Sequence, residues 1–167
     1  MAGGNPDRSD FVTMDWNFYR FRSVWRVDAT AEEAYTALAA LGDYPAWWPQ
    51  VRAARPVGAD AYELTVRSLL PYDLEFVTRQ VRRDATNGVL EAGLTGDLDG
   101  YTRWTVYPGE GTTRLLFEEE VVANKALLRR LALVARPAFR ANHTLMMRDG
   151  RRGLTAYLAG LRAGRSG

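Results

Sequence analysis

The stretch VDATAEEAYTALAALGDYPAWWP, residues 27–49, decides the fold expected for this chain. Thr30 is a candidate N-cap, and Glu33 three residues later completes a capping box, so a helix is predicted to begin here. Apolar residues at helical spacing give this helix one buried face, and Gly42 ends it. The two prolines that follow limit residues 43–49 to a second, very short helical turn.

The sequence on both sides of this stretch alternates between apolar and polar residues, which is typical of half-buried strands. Before it, residues 17–28 place Tyr19, Phe21 and Trp25 on one side. After it, strands are predicted at 51–57, 62–70, 72–78, 89–95, 102–107 and 112–122. Asn87-Gly88 predicts a two-residue hairpin turn. The pattern therefore predicts an antiparallel sheet of about seven strands.

From residue 125 onward the spacing becomes helical, with Pro137 expected to kink or restart the helix. Phe139, His143, Met146 and Met147 then recur on one stripe of a long amphipathic helix, which can cover the apolar face of the sheet. The fold class is therefore α+β. Residues 15–163 are expected to form a single domain, with a flexible N-terminal tail at 1–14 and a short tail at 164–167.

The composition excludes several kinds of chemistry. The 167 residues include no Cys and a single His, so disulfides, thiol catalysis and a zinc centre are not expected, and neither a metal nor a cofactor is predicted. The net charge of +2 comes without a basic patch, so no nucleic-acid partner is expected. No signal peptide or membrane span is predicted, which makes the cytoplasm the expected location. The oligomeric state is left open.

Five segments in this order resemble one known family. They are VDATAEEAYTAL at 27–38, DYPAWWPQV at 43–51, LPYDLEF at 70–76, GDLDG with RWTV at 96–106, and ARPAFRANH at 135–143. Over residues 18–161 the chain resembles the helix-grip superfamily, also called START-related or SRPBCC, and within it a bacterial polyketide cyclase/dehydrase-like group. The resemblance implies a curved sheet wrapped around the long C-terminal helix, with an internal cavity for an apolar ligand between them.

The expected lining of that cavity comes from the inward strand positions, the Trp-Trp-Pro turn and the long helix. Many of these side chains are Tyr or Trp, whose polar tips need a partner when buried, such as water or a ligand. For the adjacent tryptophans we expect one in the core and one at the opening. The predicted lining set is Tyr19, Phe21, Trp25, Trp47, Trp48, Tyr62, Leu64, Tyr72, Leu74, Phe76, Trp104, Leu115, Phe117, His143, Met146 and Met147.

Two of the predicted inward residues are candidates for catalysis. His143 can act as a general acid or base, or it can be a core histidine bonded to the backbone. Glu119 shares strand parity with Leu115 and Phe117, which turns it inward unless a bulge shifts the register. An inward carboxylate needs a partner, and Arg67, Arg79 or His143 is available.

Two further features carry less chemistry. The family resemblance relates Arg79 to a pocket arginine, but its parity with Tyr72 and Phe76 points it outward. Asp97 and Asp99 lack the remaining ligands of a calcium loop, so this segment is interpreted as a turn or bulge between strands.

Three functions remain open from the sequence. The first is binding of a hydrophobic small molecule that is aromatic, polyketide-like or lipid-like. The second is an enzyme, a polyketide cyclase/aromatase or dehydratase that acts on a poly-β-ketone. The third is a membrane-associated lipid or quinone carrier, in which the helix at 126–136 touches the bilayer surface.

Overall fold

The computed structural model describes residues 17–67, 73–124 and 132–165. Strand β1 spans Phe18–Val27 and helix α1 spans Ala31–Ala39. The predicted capping box is confirmed: the Glu33 amide donates to Thr30 Oγ1 at 3.2 Å, and the Thr30 amide donates to Glu33 Oε2 at 3.0 Å. A 3-10 turn at Leu41–Asp43 leads into helix α2 at Tyr44–Trp47, which is only four residues long.

Six more strands follow and pair antiparallel into a single sheet. They are β2 at Val51–Gly58, β3 at Ala61–Arg67, β4 at Asp73–Asp84, β5 at Val89–Gly96, β6 at Leu98–Tyr107 and β7 at Thr113–Ala123. Their spatial order is β1-β7-β6-β5-β4-β3-β2, so β1 and β2 form the two edges. The seven-stranded helix-grip architecture expected from the sequence is confirmed.

The C-terminal helix α3 runs from Ala132 to Arg165 and covers the inner face of the sheet. Two glycines of α3 bring it close to the segment that contains Trp47 and Trp48. A Cβ atom at Gly150 would lie 2.7 Å from Trp48 Cε2, and one at Gly153 would collide with the Trp47 carbonyl. These glycines therefore allow close backbone and ring packing between α2 and α3.

Three local predictions are corrected by the structure. The β4–β5 turn contains four residues, 85–88, and among them only Gly88 has a positive φ, +66°. Asp84 accepts hydrogen bonds from the Asn87 amide and side chain, which holds the wider turn. Strand β6 begins at Leu98, so most of GDLDG belongs to a strand. Helix α3 continues through Pro137, so the restart, one of the two outcomes expected there, does not occur.

Some predictions concern residues outside the described ranges. They include Tyr72, the flexible tail predicted at 1–14, and most of the segment proposed to touch a membrane. In the part of the chain that is described, no helix is long and apolar enough to cross a bilayer.

Candidate functional site

A cavity of about 120 Å³ lies between the inner face of the sheet and α3. Most of its wall is apolar. The structure places ten predicted site residues on this wall: Trp48, Leu64, Leu74, Phe76, Trp104, Phe117, Glu119, His143, Met146 and Met147. Strand alternation accounts for the sheet residues, since side chains two apart share a face.

Six predicted lining residues pack elsewhere. Their side chains are not on the cavity wall. Trp25 meets Trp104 edge to face at a centroid distance of 4.8 Å, and the Tyr62 ring lies against Gly42. Of the two adjacent tryptophans, Trp48 reaches the wall and Trp47 is buried beside Tyr44. The six residues are Tyr19, Phe21, Trp25, Trp47, Tyr62 and Leu115.

Glu119 and His143 bring a carboxyl group and an imidazole together on the wall. In the sheet, Glu119 lies opposite Phe21 on β1 and Thr102 on β6. The His143 ring stacks on Phe21 with a centroid distance of 3.8 Å and an interplanar angle of 8°. Stacking on a strand side chain and attachment to α3 together fix the direction of the imidazole.

His143 Nε2 lies 3.2 Å from Glu119 Oε2, and the two side chains are only 14% and 12% exposed. Although the atoms are at ion-pair distance, Nε2 has no hydrogen bond of suitable angle to any described residue. The imidazole thus keeps one bonding position at the cavity. The inward direction predicted for Glu119 matches its place on the wall.

The other two partners considered for Glu119 lie elsewhere. Arg67 pairs with Asp73, and the Arg79 side chain is exposed. Strand parity had already turned Arg79 outward. Among the described residues no group of three His, Asp or Glu side chains could hold a metal ion. Asp97, between β5 and β6, and Asp99, in β6, accept hydrogen bonds from the backbone amides of Glu75 and Gly96, respectively.

A family model described as polyketide cyclase / dehydrase and lipid transport matches residues 19–159. The chain belongs to this family. No curated protein matches it.

Solved structures share the fold of this polyketide cyclase / dehydrase family member. The Zhui aromatase/cyclase from Streptomyces sp. R1128 superposes with a TM-score of 0.70 at 14% identity, over 85% of this chain and 94% of that one. A START superfamily protein from Mycobacterium smegmatis gives 0.69 at 15% identity, over 85% and 98%. The di-domain ARO/CYC BexL from the BE-7585A biosynthetic pathway gives 0.65 at 17% identity, over 84% and 50%. At these identities the likeness extends to the fold alone.

Tyr44 is a wall residue that the sequence reasoning missed. Its hydroxyl donates to the Leu38 carbonyl at 2.8 Å, which ties α2 to the end of α1. Complete burial raises the pKa of Tyr44 far above its ordinary value, and a side-chain hydrogen bond with Trp104 offsets only part of that rise. Tyr44 therefore stays neutral. The sequence signal for a wall position was that Tyr44 lies directly before Pro45 and close to the two tryptophans that were considered for the cavity.

Other polar wall residues were also missed. Thr78 and Thr102 face the cavity from β4 and β6, and Asn142 does so from α3, one residue before His143. Thr78 shares parity with the predicted Leu74 and Phe76, which was a usable signal. The apolar wall residues not predicted are Leu41, Val51, Val66, Leu94, Leu98, Val121 and Phe139.

Proposed function

We propose that this protein binds a small, mainly apolar molecule that carries one polar group, in the cavity between the sheet and α3. The observation behind the proposal is the composition of the wall. It is largely aliphatic and aromatic, with Glu119 and His143 together at one position. Such a site gains affinity from apolar burial, and its few polar groups orient the ligand.

The cavity volume indicates the size of this ligand. An engineered apolar cavity of roughly 150 Å³ binds benzene, and the volume here is about 120 Å³. A single substituted ring therefore matches the space in its present form. Met146 and Met147 lie on the wall, and their unbranched side chains can rearrange to admit a somewhat larger ligand.

The polar group is expected to meet the Glu119–His143 pair. A ligand hydroxyl can donate to the carboxylate, and a hydroxyl or carbonyl oxygen can accept from the imidazole when its Nε2 carries a proton. A ligand of equal shape without that group leaves both side chains without a new partner, which lowers its affinity.

A matched pair of ligands tests this proposal. Para-cresol and para-xylene have nearly the same shape, and only para-cresol has a hydroxyl. Titrations followed through the methyl NMR signals of Met146 and Met147 should give about tenfold tighter binding of para-cresol. The substitution Glu119→Gln should reduce this preference. Equal affinities for the two ligands in the native protein would contradict the role given to the pair.

A second experiment tests whether the ligands bind in the cavity, by filling it with a larger side chain. Leu94→Trp places a large ring at the wall and should abolish both titrations. Val81→Trp is the control, because Val81 is 59% exposed on the outer side of the sheet. If Leu94→Trp still bound both ligands with native affinity, the binding site would have to lie elsewhere.

A second candidate function is acid–base catalysis of dehydration, favoured by the 3.2 Å contact between His143 and Glu119 in a largely buried position. When a β-hydroxy ketone loses water, a base removes the proton on the α-carbon and an acid protonates the departing hydroxyl. The imidazole and the carboxylate can supply these two roles. In such a reaction the cavity would also hold the carbon chain in a reactive geometry.

The dehydration hypothesis is tested with 4-hydroxy-4-phenylbutan-2-one, whose unsaturated product absorbs strongly in the ultraviolet. Glu119→Gln and His143→Ala should each abolish turnover, while the binding of para-cresol remains measurable. Glu118→Gln is the control, because Glu118 directly precedes Glu119 in β7 and lies near Arg103 on the opposite face of the sheet. No turnover by the native protein, or unchanged turnover in both variants, would reject a catalytic role for this pair.

A further inference from the structure

A cleft that shares Met147 with the cavity lies along β1 at the edge of the sheet. It has a volume of about 360 Å³ and is lined by residues 22–25 of β1 together with four residues of α3. The helix residues are Thr144, Met147, Arg148 and Arg151, whose spacing of three, four and seven places them on one helix face. The cleft is thus formed between one helix face and one free strand edge.

The backbone of β1 is open toward this cleft at alternate residues. The Ala123 amide donates to the Asn17 carbonyl at 3.0 Å, and the pairing of β1 with β7 continues from there without a register shift. In an antiparallel pair, every second residue bonds the neighbouring strand. The amide and carbonyl groups of Arg22 and Val24 therefore point to the free edge.

The cleft is also strongly positive. Arg22, Arg148 and Arg151 line it, and no carboxylate is among the described residues of its lining. Arg148 lies 3.3 Å from Asp149, whereas Arg22 and Arg151 pair with no carboxylate of the described residues. Val24 adds an apolar contact, since it is 57% exposed.

We propose that this cleft docks an extended acidic segment of a protein partner, which adds to β1 as an eighth strand. The two kinds of backbone group exposed at Arg22 and Val24 are complemented by another peptide backbone, which offers both donors and acceptors. The acidic side chains of the partner would meet the three arginines. A free phosphate would use the arginines and leave the edge carbonyls without partners.

The charge requirement is tested with a fluorescein-labelled peptide of alternating glutamate and valine, followed by fluorescence anisotropy. Arg148→Glu and Arg151→Glu should each weaken binding about tenfold, and added salt should weaken it further. Arg152→Glu is the matched control, because Arg152 is exposed on the same helix and lies outside the cleft. An equal loss with Arg152→Glu would show attraction by net charge alone and would overturn the proposal.

The strand geometry is tested with two N-methylated forms of the same peptide. One carries N-methyl groups on the odd-numbered residues and the other carries them on the even-numbered residues, so that in only one form do the methyl groups face β1. The form whose methyl groups face β1 should bind about tenfold or more weakly, and the other form should bind nearly as well as the unmodified peptide. Amide exchange at Val24 should slow in the complex, while Ser23, already bonded to β7, should change little.

Two results would overturn strand addition. The first is equal binding of both N-methylated peptides. The second is displacement of the peptide by inorganic phosphate at low concentration, with the same dependence on Arg148 and Arg151, which would identify a small-anion site. No binding of the acidic peptide, at low salt and with all three arginines present, would also refute the proposal.

Discussion

His143 Nε2 and Glu119 Oε2 face each other across 3.2 Å, one carried by α3 and the other by β7. The contact joins the helix to the sheet at the most polar point of a mainly apolar wall. Because both side chains are largely withdrawn from water, replacing either one changes the polar surroundings of the other. The pair is therefore a link between the stability of the fold and the properties of the site.

The first prediction concerns the energetic coupling of this pair. Glu119→Gln and His143→Phe should each lower the free energy of unfolding by about 1–3 kcal/mol, because each leaves a buried polar partner behind. The double variant should cost less than the sum by about 1 kcal/mol. Urea denaturation of the four proteins measures this cycle. Additive losses would mean that the two groups do not interact.

A more exposed pair is the control for this cycle. Arg103 lies 2.8 Å from Glu91 on the outer side of the sheet, with side-chain exposures of 37% and 24%. The same cycle with Arg103→Ala and Glu91→Ala should give a coupling below about 1 kcal/mol, since exposed ion pairs contribute little.

The second prediction reverses the usual effect of replacing a helical glycine. Gly→Ala within a helix normally stabilises by about 0.5–1 kcal/mol. At Gly150 and Gly153 the added Cβ meets Trp48 and the Trp47 carbonyl, so both substitutions should lower the thermal midpoint. Gly160→Ala is the control, because no described atom lies within 4 Å of its Cβ position, and it should raise the midpoint. Stabilisation by Gly153→Ala would contradict the close approach of α2 and α3.

The third prediction concerns pH and the β4–β5 turn. Hydrogen bonds from the Asn87 side chain, the Arg82 guanidinium and the Asn87 amide lower the pKa of Asp84 from 3.8 to about 2. Because the folded state then holds this proton less tightly than the unfolded state, the carboxylate stabilises the fold above about 3.8, and this contribution disappears as the pH falls to about 2.

Asp84→Ala should therefore lower the thermal midpoint at neutral pH, and the gap to the native protein should narrow as the pH falls through that interval. Thermal melts at a series of pH values measure both effects. Asp60→Ala, in the β2–β3 turn, is the comparison for the removal of an exposed turn carboxylate. A gap for Asp84→Ala that stays constant down to pH about 2 would refute the proposed cause.

The fourth prediction concerns Tyr44, whose buried hydroxyl bonds the Leu38 carbonyl. Tyr44→Phe should lower the free energy of unfolding by about 1–2 kcal/mol, because it leaves a buried carbonyl unpaired. Tyr107→Phe should have almost no effect, since Tyr107 is 38% exposed and its ring can still stack under Arg114. Equal stabilities of Tyr44→Phe and the native protein would show that the bond contributes nothing.

Local patterns in the sequence predicted much of the fold. The alternation around Tyr19 and Trp25 gave β1, Thr30 and Glu33 gave the start of α1, and parity placed Glu119 on the inner face. These features depend on neighbours a few residues away, and such neighbours are visible in one sequence.

The depth of each side chain could not be predicted in the same way. Parity assigns Leu115 and Phe117 to the same face, yet only Phe117 borders the cavity. That difference depends on how α3 lies over the sheet. The roles of Gly150 and Gly153 depend on the same packing, and so does the stacking of His143 of α3 on Phe21 of β1. Likewise, the cleft beside β1 follows from the strand order, which the alternation leaves open.

That strand order also constrains how the chain folds. The first strand pairs with the last, and two long-range hydrogen bonds stabilise this pairing. The Thr113 hydroxyl donates to the Ala29 carbonyl across a sequence separation of 84, and the Asn17 side-chain amide donates to the Ala123 carbonyl across a separation of 106. Contacts this distant in sequence form slowly, because a long loop must close before they can contribute. During synthesis β1 leaves the ribosome before the other six strands, and it cannot pair until β7 has been made. Throughout that interval its apolar residues, Tyr19 and Trp25 among them, have no strand beside them.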